Sequence, residues 1–219
     1  MRTIALITQK GGSGKSTLSA SLAVEAQANR ETVFLVDMDP QQSLSTWAQN
    51  RADDRLGAAA IDADRLAPVL DSLLGQQVTL AILDTPASLT DASEAAMQAA
   101  DLILIPVRPT VFDIWASEAT WRRARDLGKP FCFVLNQCPI TQGGRRLRDA
   151  AAALEEMGGI LQPMITARVD YQEAISRGLG PTEANPTGPA ADEIRQLWAS
   201  LRRRLARVKL DRQAGRIAA

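Results

Sequence analysis

The residues best suited to chemistry lie near the start of the chain. The run Gln9-Lys10-Gly11-Gly12-Ser13-Gly14-Lys15-Ser16-Thr17 follows an apolar stretch and opens a helix-like one. Glycines at 11, 12 and 14 let the backbone turn tightly and aim its N–H groups at phosphate oxygens. A helix starting near Lys15 adds a partly positive N-terminus. In a loop of this kind Lys15 reaches the β- and γ-phosphates, and the Ser16 hydroxyl ligates Mg²⁺. Residues 11–17 (Gly11, Gly12, Ser13, Gly14, Lys15, Ser16 and Thr17) are therefore the expected nucleotide-binding positions.

Two acidic strand ends complete the chemistry. Val33-Phe34-Leu35-Val36-Asp37-Met38-Asp39-Pro40-Gln41 closes an apolar run with two carboxylates two residues apart. Leu80-Ala81-Ile82-Leu83-Asp84-Thr85-Pro86 closes another with one. Ligands of open α/β sheets sit at the carboxyl ends of the strands, so all three acids can approach a phosphate and its metal. Asp84 is expected to hold Mg²⁺ through water, because Mg²⁺ keeps most of its waters and takes few protein carboxylates. Asp37 and Asp39, taken alone, also suit a helix cap and a turn.

These acids and lysines must carry the chemistry, because the chain has no histidine. That removes every Ser-His-Asp triad, Cys-His dyad and His-ligated metal site. Cys132 and Cys138 are the only cysteines, too few for a four-thiolate zinc site or a disulfide framework. Aromatic content of 4% argues against nucleic-acid binding by rows of stacked rings. The short apolar N-terminus runs straight into the glycine loop, and no stretch approaches about 20 apolar residues, so neither a signal peptide nor a membrane span is expected. A cytoplasmic location follows as the default.

To position these groups the chain must alternate strands and helices. Continuous apolar runs predict strands at 3–8, 32–37, 78–84, 102–107 and 131–136, a weaker one at 58–61, and a further candidate at 160–165. Helices are predicted at 15–29, 43–51, 64–74, 91–100, 114–127 and 144–157, and a last one from about residue 190. Runs without polar alternation suit strands covered on both faces. The pattern predicts an α/β fold: a doubly wound, mostly parallel sheet with helices on both faces. Residues 1–210 form one expected domain, and 211–219 a polar C-terminal tail.

Charge is unevenly spread. Lys plus Arg and Asp plus Glu each number 25, for a net charge of zero. Yet residues 194–219 hold eight basic residues (Arg195, Arg202, Arg203, Arg204, Arg207, Lys209, Arg212, Arg216) and one acid, Asp211. Residues 1–193 therefore carry 17 basic against 24 acidic groups. An acidic body with a basic last helix suits phosphate-backbone binding, or a solvated helix end packed by its apolar stripe.

The loop departs from the usual P-loop, which has Gly six residues before the Lys; here Gln9 stands there, and Lys10 precedes the paired glycines. The string Lys-Gly-Gly-Ser-Gly-Lys-Ser resembles the deviant Walker A motif of the ParA/MinD ATPase superfamily. Asp37-Met38-Asp39-Pro40-Gln41 resembles its second signature, and Asp84-Thr85-Pro86 its third. The segment Pro106-Val107-Arg108-Pro109-Thr110, with Asp113, resembles its Pro-x-x-Pro segment near the nucleotide-dependent dimer surface. Asn136 resembles the asparagine that contacts adenine, although an asparagine also ends strands readily. GTPases carry Asn-Lys-x-Asp where this chain has Asn136-Gln137-Cys138-Pro139, which favours ATP.

The resemblance runs from Arg2 to about Leu205 and implies specific roles. Lys10 reaches across an ATP-sandwiched homodimer to the partner's phosphates, Asp39 positions the attacking water, Asp37 supports the Mg²⁺ shell, and Thr85 senses the γ-phosphate. It resembles the short ParA type, starting at the P-loop strand without an N-terminal helix-turn-helix. Such proteins are ATPases stimulated by a ParB-like or other adaptor. They bind duplex DNA without sequence preference, associate with the nucleoid, and segregate plasmids or chromosomes or position protein cargoes. Arg168 and Arg177 are further candidate DNA contacts. The alternatives are a MinD-like membrane switch, suggested by the basic amphipathic last helix, and a metabolic P-loop enzyme of the same superfamily.

Overall fold

The computed structural model describes residues 1–141 and 144–215, and leaves the Arg212 side chain undescribed. Six strands form one sheet: β1 (Arg2–Leu6), β2 (Val33–Asp37), β3 (Gly57–Ala60), β4 (Leu80–Asp84), β5 (Leu102–Val107) and β6 (Phe131–Leu135). Their order is β3-β2-β4-β1-β5-β6, and every pairing is parallel. From β1 the chain builds β2 and β3 on one side, returns to place β4 between β2 and β1, and then adds β5 and β6 on the other, a doubly wound sheet as the strand-helix alternation predicts.

The crossovers are helical: α1 (Lys15–Ala28), α2 (Ser43–Gln49), α3 (Leu66–Gly75, preceded by a 3₁₀ turn over Ala63–Arg65), α4 (Asp91–Ala99), α5 (Val111–Asp126) and α6 (Arg145–Met157). Then come α7 (Val169–Ser176), α8 (Pro181–Ala184) and the 25-residue α9 (Pro189–Gln213). The last helix thus crosses the expected boundary at residue 210. Arg216 and the rest of 216–219 lie outside the described residues.

Strand residues divide alternately between two cores, as period two requires. Ile4 and Leu6 of β1 pack with Leu18 and Leu22 of α1 and with Ile194, Leu197, Trp198 and Leu201 of α9. Ala5 and Ile7 face the other side, with Met97 of α4 and Leu147 and Leu154 of α6. The apolar stripe of α9 is therefore core, and its opposite face is open to solvent.

The segment predicted as a strand at 160–165 does not become one. Ile160 and Thr166 make isolated parallel bridges to Phe133 and Cys138. Leu161 and Ile165 donate their N–H groups to Phe133 and Leu135, but Pro163 between them has no N–H to continue the ladder. The segment 178–189 holds the short α8, with Pro181 at its first turn.

Candidate active site

The glycine loop connects β1 to α1 at the carboxyl end of the sheet. Gly12 and Gly14 adopt φ of +73° and +89°, and Gly14 is the residue from which α1 starts. A Cβ on Gly14 would lie 2.3 Å from the Asn136 side-chain amide, so glycine is required for both conformation and space. Asn136 donates to the Ser13 carbonyl at 2.7 Å, and Gln137 donates to the Gly12 carbonyl at 2.7 Å. Gln137 itself takes φ of +54°, an uncommon conformation for a non-glycine residue. The end of β6 therefore holds the loop from above.

The register of the sheet fixes the acids. Asp37 of β2 pairs directly with Asp84 of β4, and Asp84 pairs with Leu6 at the end of β1. Asp84 is fully buried; one carboxylate oxygen accepts from the Ser19 hydroxyl at 3.3 Å and the other has no hydrogen-bond partner. Burial pushes its carboxyl up to about 7; the Ser16 hydroxyl opposes the rise and the Asp37 carboxylate adds to it. Lys15 is also buried. Desolvation lowers its pKa, while Asp84 and Asp39 hold it up.

Asp37 uses both oxygens locally, accepting the Asp39 N–H at 3.1 Å and the Ser45 N–H at 2.8 Å. It thereby fixes the turn that carries Asp39 and the start of α2. Asp39 is half-buried and accepts the Gln41 N–H at 2.9 Å. The Thr85 hydroxyl donates to the Leu6 carbonyl at 2.8 Å, joining β4 to β1 at the loop. Lys10 is half-buried and has no carboxylate partner among the described residues.

These oxygens fit a magnesium ion. The unpartnered buried oxygen of Asp84 lies in a site that also holds Ser16 and Lys15, and an orphaned buried acceptor is costly without a cation. Among the described residues no three His, Cys, Asp or Glu side chains form a metal-holding group. Ser16 and Asp84 would hold the ion, and Asp37, which pairs with Asp84 across the strands and accepts two backbone N–H groups, would support its shell.

Beside the loop lies a cavity of about 270 Å³, lined by Gly14, Thr17, Asn136, Thr166, Arg168 and Tyr171 among others. Asn136 thus borders both the phosphate loop and this cavity, where a nucleobase would sit. Arg168, a candidate DNA contact, pairs with Glu193 at 3.0 Å at the cavity wall. Arg177 is exposed.

Arg108 reaches the glycine loop, which its residue type alone does not reveal. Its Nε and Nη2 grip the Asp113 carboxylate at 2.8 and 3.2 Å. Its third guanidinium nitrogen lies 3.8 Å from where a Gly12 Cβ would be. An arginine five residues before an acid was the available signal, but only the fold turns that pair over the loop.

On α9, Arg202, Arg203, Arg207 and Lys209 are exposed. Arg204 is half-buried and its guanidinium donates to the Phe131 carbonyl at 3.4 Å. Arg195 donates to the Pro186 carbonyl at 2.6 Å. Among the described residues no helix is long and apolar enough to cross a membrane.

A parallel doubly wound sheet, with a glycine-lysine loop after β1 and acids ending β2 and β4, defines a P-loop nucleotide-binding protein. Residues 4–182 match the CobQ/CobB/MinD/ParA nucleotide binding domain, and the chain belongs to this family of nucleotide-binding ATPases. It is 30% identical over 207 residues to the maintenance of carboxysome distribution protein A of Halothiobacillus neapolitanus, covering 89% of this chain and 94% of that protein. It is 27% identical over 233 residues to the chromosome-partitioning ATPase Soj of Thermus thermophilus, covering 90% and 94%. The fold matches MinD in the MinC:MinD complex of Aquifex aeolicus with a TM-score of 0.78 at 19% identity, over 92% of this chain and 96% of that one. It matches Cyanothece apo McdA with a TM-score of 0.74 at 18% identity, over 92% and 99%.

Proposed function

We propose that this chain is an ATP-driven positioning switch that dimerises on ATP, holds duplex DNA without sequence preference, and releases it when an adaptor stimulates hydrolysis. The observation that carries this reading is the grouping of Lys15, Asp39 and Asp84 at the glycine loop that also carries Lys10.

The loop N–H groups and Lys15 bind the β- and γ-phosphates. Ser16 and Asp84 would hold magnesium, with Asp37 supporting its shell, and the bound ion would supply charge neutralisation on those phosphates. Asp39, anchored through Asp37, orients the attacking water; positioning rather than strong basicity is what phosphoryl transfer needs. Lys10, free of carboxylate partners among the described residues, is available to a second copy's phosphates. The exposed cations of α9 supply the phosphate-backbone contacts, and pairing two weak basic faces raises avidity only when ATP joins them. A membrane switch is disfavoured by the burial of Ile194, Leu197, Trp198, Leu201 and Leu205, which leaves the α9 apolar stripe inside the core.

Relatives named for carboxysome distribution and for chromosome partitioning support a cargo-positioning role. The test is retention of a random-sequence DNA duplex at low salt. Binding with ATP and its loss with ADP support the proposal; equal binding with both nucleotides, or none with either, contradicts it.

A further inference from the structure

One buried cluster touches the site yet belongs to none of the loop motifs. Glu193 lies in the first turns of α9 and is 9% exposed. Its carboxylate accepts from the Thr166 N–H at 3.2 Å, from Arg168 Nε at 3.0 Å and from the Tyr171 hydroxyl at 2.9 Å. All three donors line the cavity beside the phosphate loop. That wall is also tied to the end of β6, because the Cys138 N–H bonds the Ile165 carbonyl and the Ala167 N–H bonds the Cys138 carbonyl.

A buried carboxylate is expensive unless fully hydrogen-bonded, and here its three donors come from a single short stretch of the cavity wall. Burial and the adjoining carboxylate push the Tyr171 phenol far above its ordinary value, so it stays a donor at every working pH. The cluster ties the start of α9 to the wall formed by residues 166–171 and so fixes the shape of that wall.

We infer that Glu193 is a positioning residue for the nucleobase: it fixes the Thr166–Tyr171 wall of the cavity and so sets affinity for the base, while leaving the phosphate loop untouched. This rests on the reading of the cavity as a nucleotide site. Glu193 hydrogen-bonds none of residues 9–17, so its removal should separate base binding from phosphate binding. The same residue anchors the start of the helix that carries Arg202, Arg203 and Arg207.

The experiment compares binding of ATP with binding of inorganic triphosphate, each with Mg²⁺, by calorimetry on the full chain. Glu193→Ala is expected to weaken ATP about tenfold and triphosphate less than twofold. Tyr171→Phe removes one hydrogen bond, keeps the packing, and is expected to weaken ATP about threefold with the same selectivity. Glu193→Gln retains acceptor capacity and should recover most of the loss. Equal weakening of both ligands in the two truncating variants, or unchanged ATP binding in both, overturns the inference. A wild-type chain that binds triphosphate and ATP equally well also overturns it. A wild-type chain that binds neither overturns instead the proposed function on which it rests.

Discussion

Asn136 donates its side-chain amide to the Ser13 carbonyl at 2.7 Å, placing the end of β6 directly over the phosphate loop. The same amide is what a Cβ on Gly14 would strike. An asparagine expected to meet adenine therefore also secures the backbone that meets phosphate. Replacing Asn136 with Ala is predicted to weaken ATP binding about 5- to 10-fold, the scale of one hydrogen bond. Titration calorimetry checks this, and triphosphate binding should fall too, because the amide holds the loop itself.

Gly14→Ala combines a left-handed backbone with a steric overlap against Asn136. The conformation alone costs about 1–2 kcal/mol. The variant is predicted to melt several degrees lower and to show no measurable ATP binding. An unchanged melting temperature with normal binding would show that the loop is held differently.

Asp84 makes the nucleotide-free protein sensitive to pH. Burial raises its folded-state pKa from 3.8 to about 7. The protonated form is favoured in the fold, so this contribution is fully present below the ordinary carboxyl value and is lost as pH rises through about 7. Asp84→Asn removes the titration. The difference in melting temperature, variant minus wild type, is predicted to grow as pH rises from about 4 to about 7, with the variant the more stable at about pH 8. The same variant should hydrolyse no ATP, because its side chain cannot serve the metal.

The exposed face of α9 gives a salt-dependent signature. Changing Arg202, Arg203 and Arg207 together to Ala removes exposed charge while leaving the buried stripe intact. DNA affinity is predicted to fall on all sequences alike. The slope of log affinity against log salt should shrink by about 0.9 for each phosphate that the variant no longer neutralises. Fluorescence anisotropy across a salt series measures both quantities.

The sheet was legible because its strands are continuous apolar runs bounded by acids, glycines or prolines. The loop residues 9–17 and Asp84 were legible because phosphate chemistry demands particular residue types at fixed spacing. Asp37 was only half legible: its type and place at a strand end were clear, but its two backbone partners at Asp39 and Ser45 depend on how the chain turns after Pro40. Helix α7 and the Glu193 cluster were not legible. Val169–Ser176 is a two-turn helix among glycines and prolines, and the meeting of Glu193 with Thr166 joins residues 27 apart through the fold. The candidate strand at 160–165 failed on Pro163, whose missing N–H breaks a ladder that hydropathy alone suggests.

ATP is proposed to join two copies of this chain through the loop that carries Lys10. Asp39→Ala should slow hydrolysis at least about 100-fold with ATP affinity within a few fold, and so hold the ATP state long enough to weigh it. Light scattering on that variant with ATP and Mg²⁺ is predicted to give twice the 23.6 kDa mass of the chain, reverting to a single copy with ADP or when Lys10→Ala is added. A single-copy mass with saturating ATP, or a dimer that persists without Lys10 and with ADP, would contradict it.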